Sequence, residues 1–418
     1  LGNRHPSGGN SQKSGTTKSH YTHDVFFVQC VSPSLINRSF IVSLQPVGIR
    51  SIAVSFPSII RTNEYYRENY PKLVAEAEEK TLSRVFSTSN PNSLNEFDLE
   101  MAPYLSDPFR GTVERRVFGP GETSLTLSYS AAKNALDAAK LLPHEIDLML
   151  VATIHPEQIV PGNAAFLASE LGLQGAAWNI DSTCSNAIVA LQTASGLVRA
   201  GEYRNILVVV CTNYSKFTDE NDTLAFLSGD GAGAFVVNKL KANQGVLGTK
   251  IINTASTCGT FFNELTTDAQ GNPQMLIRAA KGTGKVVSET AAQFLRQCCS
   301  GALEAAGVTL DEINFFAFNT PTAWYASLCA RALEIDPART INLHDRYANI
   351  GPMLPLANLY HGAELGRIRE NDLVLVYAIG SVSNAGASVM RWGDVALGPA
   401  PSLPVSMKSQ EDKVFTLP

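Results

Sequence analysis

The 418-residue sequence predicts a layered α/β protein built from two similar halves. Three observations carry that expectation. Residues 135–153, ALDAAKLLPHEIDLMLVAT, align without a gap on residues 302–320, ALEAAGVTLDEINFFAFNT, and seven of the 19 positions are identical. A weaker correspondence relates 196–215, GLVRAGEYRNILVVVCTNYS, to 366–381, GRIRENDLVLVYAIGS, again a helix end followed by a strand. Strands such as ILVVV and LVLVY are apolar at every position, as parallel strands covered on both faces by helices must be.

The segments follow in order. Residues 1–45 open with a polar stretch rich in Gly, Ser and Lys, and continue with FFVQCVSPSLINRSFIVSL, which Pro33, Asn37 and Arg38 interrupt. That composition reads as a disordered or non-native leader and leaves no apolar run long enough for a membrane span or a signal-peptide core. GIRSIAVSF alternates as a first strand does, so the compact part starts near Val47. The repeat unit is an amphipathic helix end, a short turn with an acidic residue, and a buried strand. A first half over 46–240 closes with SGDGAGAFVV, the boundary lies between Lys239 and Gly245, a second half spans 241–395, and 396–418 form a tail. SGDGAG has no following Lys-Ser or Lys-Thr, so its glycines read as close packing and a tight turn, not as a phosphate cradle.

A hydrophobic content of 44% suits an ordinary core, and a net charge of −5 gives no general basic character for nucleic acid or an anionic membrane. Seven cysteines follow neither a zinc-ligand spacing nor a disulfide framework, so they read as reduced thiols in a cytoplasm. Cys298 and Cys299 adjoin in a helical pattern and Cys211 and Cys329 lie in apolar patterns; all four read as packing.

In a duplicated α/β domain, a site forms where strand ends of the two halves meet. Cys184, in NIDSTCSNAIVAL, sits between the strand AAWNID and a helix whose Ala187, Ile188, Leu191, Ala194, Leu197 and Val198 recur at helical spacing. A thiol at a helix N-terminus faces unpaired N–H groups, which lower its pKa. Position alone leaves both a nucleophile and a packing residue open. Asn349, in YANIGP, precedes the matching helix of the second half, and Asn319 ends the second copy of the repeated strand. Three groups distant in sequence thus converge on one cleft.

NIDSTCSNAIVALQTASGLVRAGEYRNILVVV followed by TLAFLSGDGAGAFVV resembles the thiolase superfamily, most closely its β-ketoacyl carrier-protein synthase III branch. ETSLTLSYSAAKNAL, VATIHPEQIVPGNAAFLASELGL, ANIGPMLPLANLYHGAELGRI and GSVSNAGASVMRW extend the resemblance from about residue 46 to Trp392. It implies the thiolase fold, two βαβαβαββ halves in α-β-α-β-α layers, and a homodimer. It also implies that Cys184 accepts an acyl group from a thioester and that Asn349 hydrogen-bonds the second thioester. The backbone N–H groups of Cys184 and Ser381 then form an oxyanion hole, a device that contributes on the order of a few kcal/mol.

Most family members carry histidine where this chain has Asn319. An amide stabilises a carbonyl but does not take up a proton at neutral pH. His344 and His361 read as surface or helix residues, not as a relocated base. Glu122 resembles an acid of the related hydroxymethylglutaryl synthases, a weaker match, and His155 lines or caps the cleft.

The resulting expectation is an acyltransferase that loads Cys184 and forms a carbon–carbon bond to a second carrier- or coenzyme A-bound substrate, with Asn319 and Asn349 as oxyanion donors. Polyketide or related secondary metabolism suits it, tetronate-type ring formation being one form. The alternatives are an O- or N-acyltransferase and a catalytically silent carrier-binding subunit. No resident cofactor, metal, nucleic acid or membrane is expected; acyl-carrier phosphopantetheine or coenzyme A thioesters serve as substrates.

Overall fold

The computed structural model describes residues 45–87, 94–380 and 382–406. The expected leader, Gln45 aside, lies outside them, as do Ser381 and residues 407–418. The first half opens with strands β1 (Val47–Ser55) and β2 (Ile59–Thr62), helices α1 (Asn63–Asn69), α2 (Pro71–Ser87) and α3 (Glu96–Met101), and strand β3 (Glu114–Val117). It continues with α4 (Ser124–Ala139), β4 (Leu148–Thr153), α5 (Asn163–Leu171), β5 (Ala176–Asn179), α6 (Asn186–Ala200), β6 (Ile206–Asn213), α7 (Tyr214–Phe217) and β7 (Asp230–Lys239).

The second half comprises β8 (Gly245–Asn253), a hairpin of β9 (Phe261–Thr267) and β10 (Pro273–Ala279), α8 (Thr283–Ala306), β11 (Phe315–Phe318), α9 (Tyr325–Leu333) and α10 (His344–Tyr347). After these come α11 (Leu354–Glu364), β12 (Leu373–Ala378) and β13 (Asn384–Arg391). From the expected tail, β14 (Ala396–Leu397) pairs with β1 and β15 (Val405–Ser406) with β2.

The duplication is visible in the pairing. One sheet has the order β14-β1-β7-β6-β4-β5, the other β11-β12-β13-β8. In each, the repeated strand lies parallel to the next one, Leu148 opposite Ile206 in the first and Phe315 opposite Val374 in the second. β6 and β12 are buried along their whole length, as their apolar runs predict.

The repeat also repeats its hydrogen bonds. Glu145 accepts the Leu142 N–H at 2.8 Å, and the matching Glu312 accepts the Thr309 N–H at 2.7 Å. Asp147 then accepts the N–H of Asn205 at 3.0 Å, and Asn314 that of Leu373 at 2.8 Å, so each copy fixes the entry to the following strand. The halves differ at the strand corresponding to β5. In the second half it shrinks to one bridge, Thr340 to Phe316, where the Thr340 hydroxyl also donates to the Phe316 carbonyl at 2.8 Å.

Three of the hydrophobic cores among the described residues lie within a five-layer stack, the central one filling both sides of the middle helix layer. α4 and α5 cover the outer face of the first sheet, α8 and α9 the outer face of the second, and α6 and α11 fill the space between the sheets. This is the thiolase-type α-β-α-β-α architecture expected from the sequence. Cys211, Cys298, Cys299 and Cys329 are buried in these cores as expected. The glycines of SGDGAG serve packing more than turning. Gly231 and Gly233 lie within β7, and a Cβ at Gly233 would meet the Met353 sulfur at 2.6 Å. A Cβ at Gly229 would stand 2.3 Å from the Tyr347 carbonyl. Small residues here let β7 approach the 347–353 segment, which carries Asn349.

Candidate active site

Cys184, Tyr214, Asn319 and Gly380 each follow the carboxyl end of a parallel strand: β5, β6, β11 and β12. That is where open α/β sheets bind ligands. Cys184 occupies the 3-10 turn Thr183–Ser185, immediately before α6. Thr183 has φ +50°, a left-handed conformation that a β-branched residue adopts only under constraint. The constraint is visible: Asp181 accepts the Thr183 N–H at 3.0 Å, Asn186 accepts the Ser182 N–H, and the Ser182 and Ser185 hydroxyls bond at 2.9 Å.

The second half braces the same turn. Asn384 donates to the Ser182 hydroxyl at 2.9 Å. A Cβ at Gly380 would lie 3.3 Å from the Ser185 hydroxyl and 1.7 Å from the Asn384 carbonyl, so only glycine fits there. Ser381, the expected second oxyanion donor, lies outside the described residues.

Gly351 joins the remaining groups. The Asn319 amide donates to the Gly351 carbonyl at 3.2 Å, and the Asn349 side-chain oxygen accepts the Gly351 N–H at 2.9 Å. A Cβ at Gly351 would fall 2.7 Å from the Tyr214 hydroxyl, which itself lies 3.6 Å from the Cys184 sulfur. Asn319, Asn349, Tyr214 and Cys184 therefore surround one backbone position. The Asn349 backbone is clamped by Leu227 and Gly229, whose carbonyl and N–H pair with it at 2.8 and 3.1 Å. Asn358, buried in α11, donates to the Phe318 carbonyl just before Asn319.

The electrostatics correct one expectation. Burial pushes the Cys184 thiol above its usual pKa and the nearby Asp181 carboxylate adds to this, while the Tyr214 hydroxyl and a backbone N–H pull it back in part. The thiol was expected to be lowered by the helix end. Cys184 instead precedes α6, inside a turn, where loss of water opposes the anion. Burial, and then the neighbouring sulfur, also hold the Tyr214 hydroxyl well above its normal pKa.

The histidines have other duties. His344 lies on α10 and is fully buried, not at the surface. Its Nδ1 donates to the Thr320 carbonyl at 3.2 Å, so its Nε2 accepts from Thr112 at 2.9 Å, and burial lowers its pKa to about 4. His361, likewise buried, bonds Tyr347 at 2.9 Å and Glu364 at 2.8 Å. His155 bonds Asn263 at 3.0 Å and stacks on Phe217, which makes it a packing residue. Glu122 accepts the N–H groups of Ser58 and Gly119, a turn-closing role. Among the described residues, no His/Cys/Asp/Glu group could hold a metal, and no helix is long and apolar enough to cross a membrane.

Sequence reasoning missed Tyr214, Gly351, Gly380 and Asn384. Gly351 was open to discovery, since carrying the repeat forward without a gap sets it opposite Cys184. Tyr214 had one signal, its place directly after the apolar strand ILVVVCTN.

Two family models match the chain: 3-oxoacyl-[acyl-carrier-protein (ACP)] synthase III over residues 178–255, and its C-terminal part over residues 303–392. The chain is 31% identical over 290 residues to a β-ketoacyl-[acyl-carrier-protein] synthase III of Brucella suis, covering 68% of this chain and 88% of that one. An Agrobacterium fabrum protein of the same description is 30% identical over 295 residues, with the same coverage. The crystal structure of 3-oxoacyl-[acyl-carrier-protein] synthase III from Aquifex aeolicus superposes with a TM-score of 0.66 at 25% identity, covering 83% of this chain and 100% of the other. The priming β-ketosynthase of the R1128 polyketide pathway, at 19% identity and a TM-score of 0.67 over 84% and 97% of the two chains, shares the fold.

Proposed function

Because the chain belongs to the 3-oxoacyl-[acyl-carrier-protein] synthase III family, we propose that it is a condensing acyltransferase in which Cys184 carries the acyl group. The sulfur attacks an acyl thioester, the donor's own thiol departs carrying the Cys184 proton, and an acyl-cysteine remains. A second, malonyl-type thioester then loses carbon dioxide. Its carbanion attacks the acyl carbon, and the Cys184 thiolate leaves and is reprotonated. The backbone N–H groups of Cys184 and Ser381 receive the first oxyanion; Asn319 and Asn349 face the second thioester.

One observation carries this reading: the turn holding Cys184 and the two asparagines of the other half meet around Gly351. Decarboxylation suits such a site, since it needs oxyanion donors and no base, and an amide is no base. That is also why a specialised condensation in polyketide or related secondary metabolism, tetronate-type ring formation included, suits the chain better than a reaction requiring a histidine base. The substrates are acyl-carrier or coenzyme A thioesters, with no resident cofactor, in a cytoplasm that keeps Cys184 reduced. The partly exposed edge strand β5, with Trp178 40% exposed, supports a homodimer closing that edge.

Intact-mass analysis after incubation with acyl-carrier and coenzyme A thioesters tests the proposal. The expected result is one acyl mass on the wild type, none on Cys184→Ala, and a product longer by a new carbon–carbon bond. An ester or amide product would assign O- or N-acyl transfer instead. Unchanged pathway output with Cys184→Ala would reduce the chain to a silent subunit. Asn319→His supplies a further check: a specialised acceptor site loses activity or changes product, whereas a generic synthase gains.

A further inference from the structure

We infer that Tyr214 is a catalytic residue, its hydroxyl donating a hydrogen bond to the Cys184 sulfur when that sulfur attacks and again when it leaves. The inference rests on the acyl-transfer reading of Cys184 only for its catalytic consequence. The contact itself is a property of the resting protein.

The geometry supports it from three directions. The hydroxyl oxygen lies 3.6 Å from the sulfur, within hydrogen-bonding distance for a thiol or thiolate. Among the described residues it is the one side chain hydrogen-bonded to that sulfur. The tyrosine is also held in place on both sides. Asn213 donates to the His155 carbonyl at 2.7 Å, Ser215 donates its N–H to the buried Asp230 at 2.9 Å, and Thr218 bonds the Tyr214 carbonyl at 2.8 Å. Finally, the missing side chain at Gly351 leaves the hydroxyl its space, since a Cβ there would come within 2.7 Å.

The chemistry follows from which atom holds the proton. Desolvation keeps the phenol protonated, so Tyr214 donates and does not act as a base. During loading, the Cys184 proton passes to the departing thiolate of the donor; during condensation, solvent returns one proton to Cys184. Tyr214 keeps its own proton throughout. It stabilises the two states in which the sulfur bears charge, and loses its acceptor when the sulfur is acylated. This assigns to an O–H donor the stabilisation of sulfur that a neighbouring imidazolium would give.

Peptide-resolved alkylation of Cys184 by iodoacetamide across pH tests the inference without any acyl substrate. In the full chain, Tyr214→Phe should raise the alkylation midpoint by about one to two pH units, the size expected for a hydrogen bond to a charged group. Acyl loading at neutral pH should then fall about tenfold or more. Site-specific 4-aminophenylalanine at 214, a weaker N–H donor of nearly the same shape with no acidic proton to lose, should raise the midpoint by less than phenylalanine does, and it serves if the phenylalanine variant does not fold. An unmoved midpoint in a folded variant overturns the inference even if acyl loading occurs. A moved midpoint in a protein that no thioester labels upholds the contact while removing the proposed function.

Discussion

The two halves build the same strand–turn–helix twice and put different atoms at the turn. In the first half the turn before α6 holds Cys184, preceded by Thr183 at φ +50°. In the second, the matching turn before α11 holds Gly351, at φ +51°, with Asn349 folded back on its N–H. One copy places a cysteine sulfur at the turn, the other a bare backbone around which amides and a phenol gather. The difference teaches that a duplicated scaffold diverges at equivalent turns, while most of the helices and strands behind them repeat, the counterpart of β5 excepted. The buried titratable groups differ as well: Asp230 accepts the Ser215 N–H next to Tyr214, and His344 donates to the Thr320 carbonyl next to Asn319.

The largest expected effect comes from breaking the shared layer. Ile188 on α6 is 1% exposed, and its methyl lies 3.2 Å from the Cβ position of Gly386 on β13. Ile188→Ala should cost about 2–5 kcal/mol, read as a shift of the denaturation midpoint. A cost near zero would mean that the two sheets are not packed through this helix.

Gly351→Ala comes next. Left-handed strain of about 1–2 kcal/mol and the contact with Tyr214 should slow acyl loading of Cys184 about tenfold. Gly366→Ala is the control: its φ is +68°, nothing lies within 4 Å of its Cβ position, and loading should be unaffected although similar strain is introduced. Equal losses in both variants would attribute the effect to backbone strain alone.

A pH-dependent effect sharpens the contrast between the buried groups. The pKa of His344 is depressed to about 4 from 6.5, so its contribution to stability is present above pH 6.5 and is lost as pH falls through 4. Asp230 runs the other way. Its pKa is raised from 3.8 to about 6, chiefly by burial, so its contribution is present below pH 3.8 and is lost as pH rises through 6. Between pH 4 and 6 the two oppose each other. Against wild type, His344→Gln should lose less stability on acidification over pH 6.5 to 4, and Asp230→Asn should lose less on the rise from pH 4 to 6. Urea titrations at several pH values check both.

Much of this was legible in the residues. The repeat around Glu145 and Glu312 exposed the duplication because the same side chain closes the same turn in both copies. Uniform apolar runs revealed the strands buried between helix layers. Asn319, Asn349 and Cys184 could be named because strand ends and helix starts mark clefts in such folds. What escaped notice depended on packing across the halves. Nothing local to ILVVVCTNYS says that Tyr214 turns toward a sulfur 30 residues earlier. The shift of the Cys184 thiol was misjudged because helix position is read from sequence, whereas desolvation depends on what covers the turn.

The division of labour between the turns is tested most directly by Asn349→Ala, which removes the amide donor without adding a charge near Cys184. Loading and discharge of the acyl group on Cys184 are followed separately by time-resolved intact mass. The account predicts loading within about twofold of wild type and discharge to a malonyl thioester slowed about tenfold or more, the cost of one oxyanion donor. Loading that slows in parallel with discharge, or discharge at the wild-type rate, would contradict it.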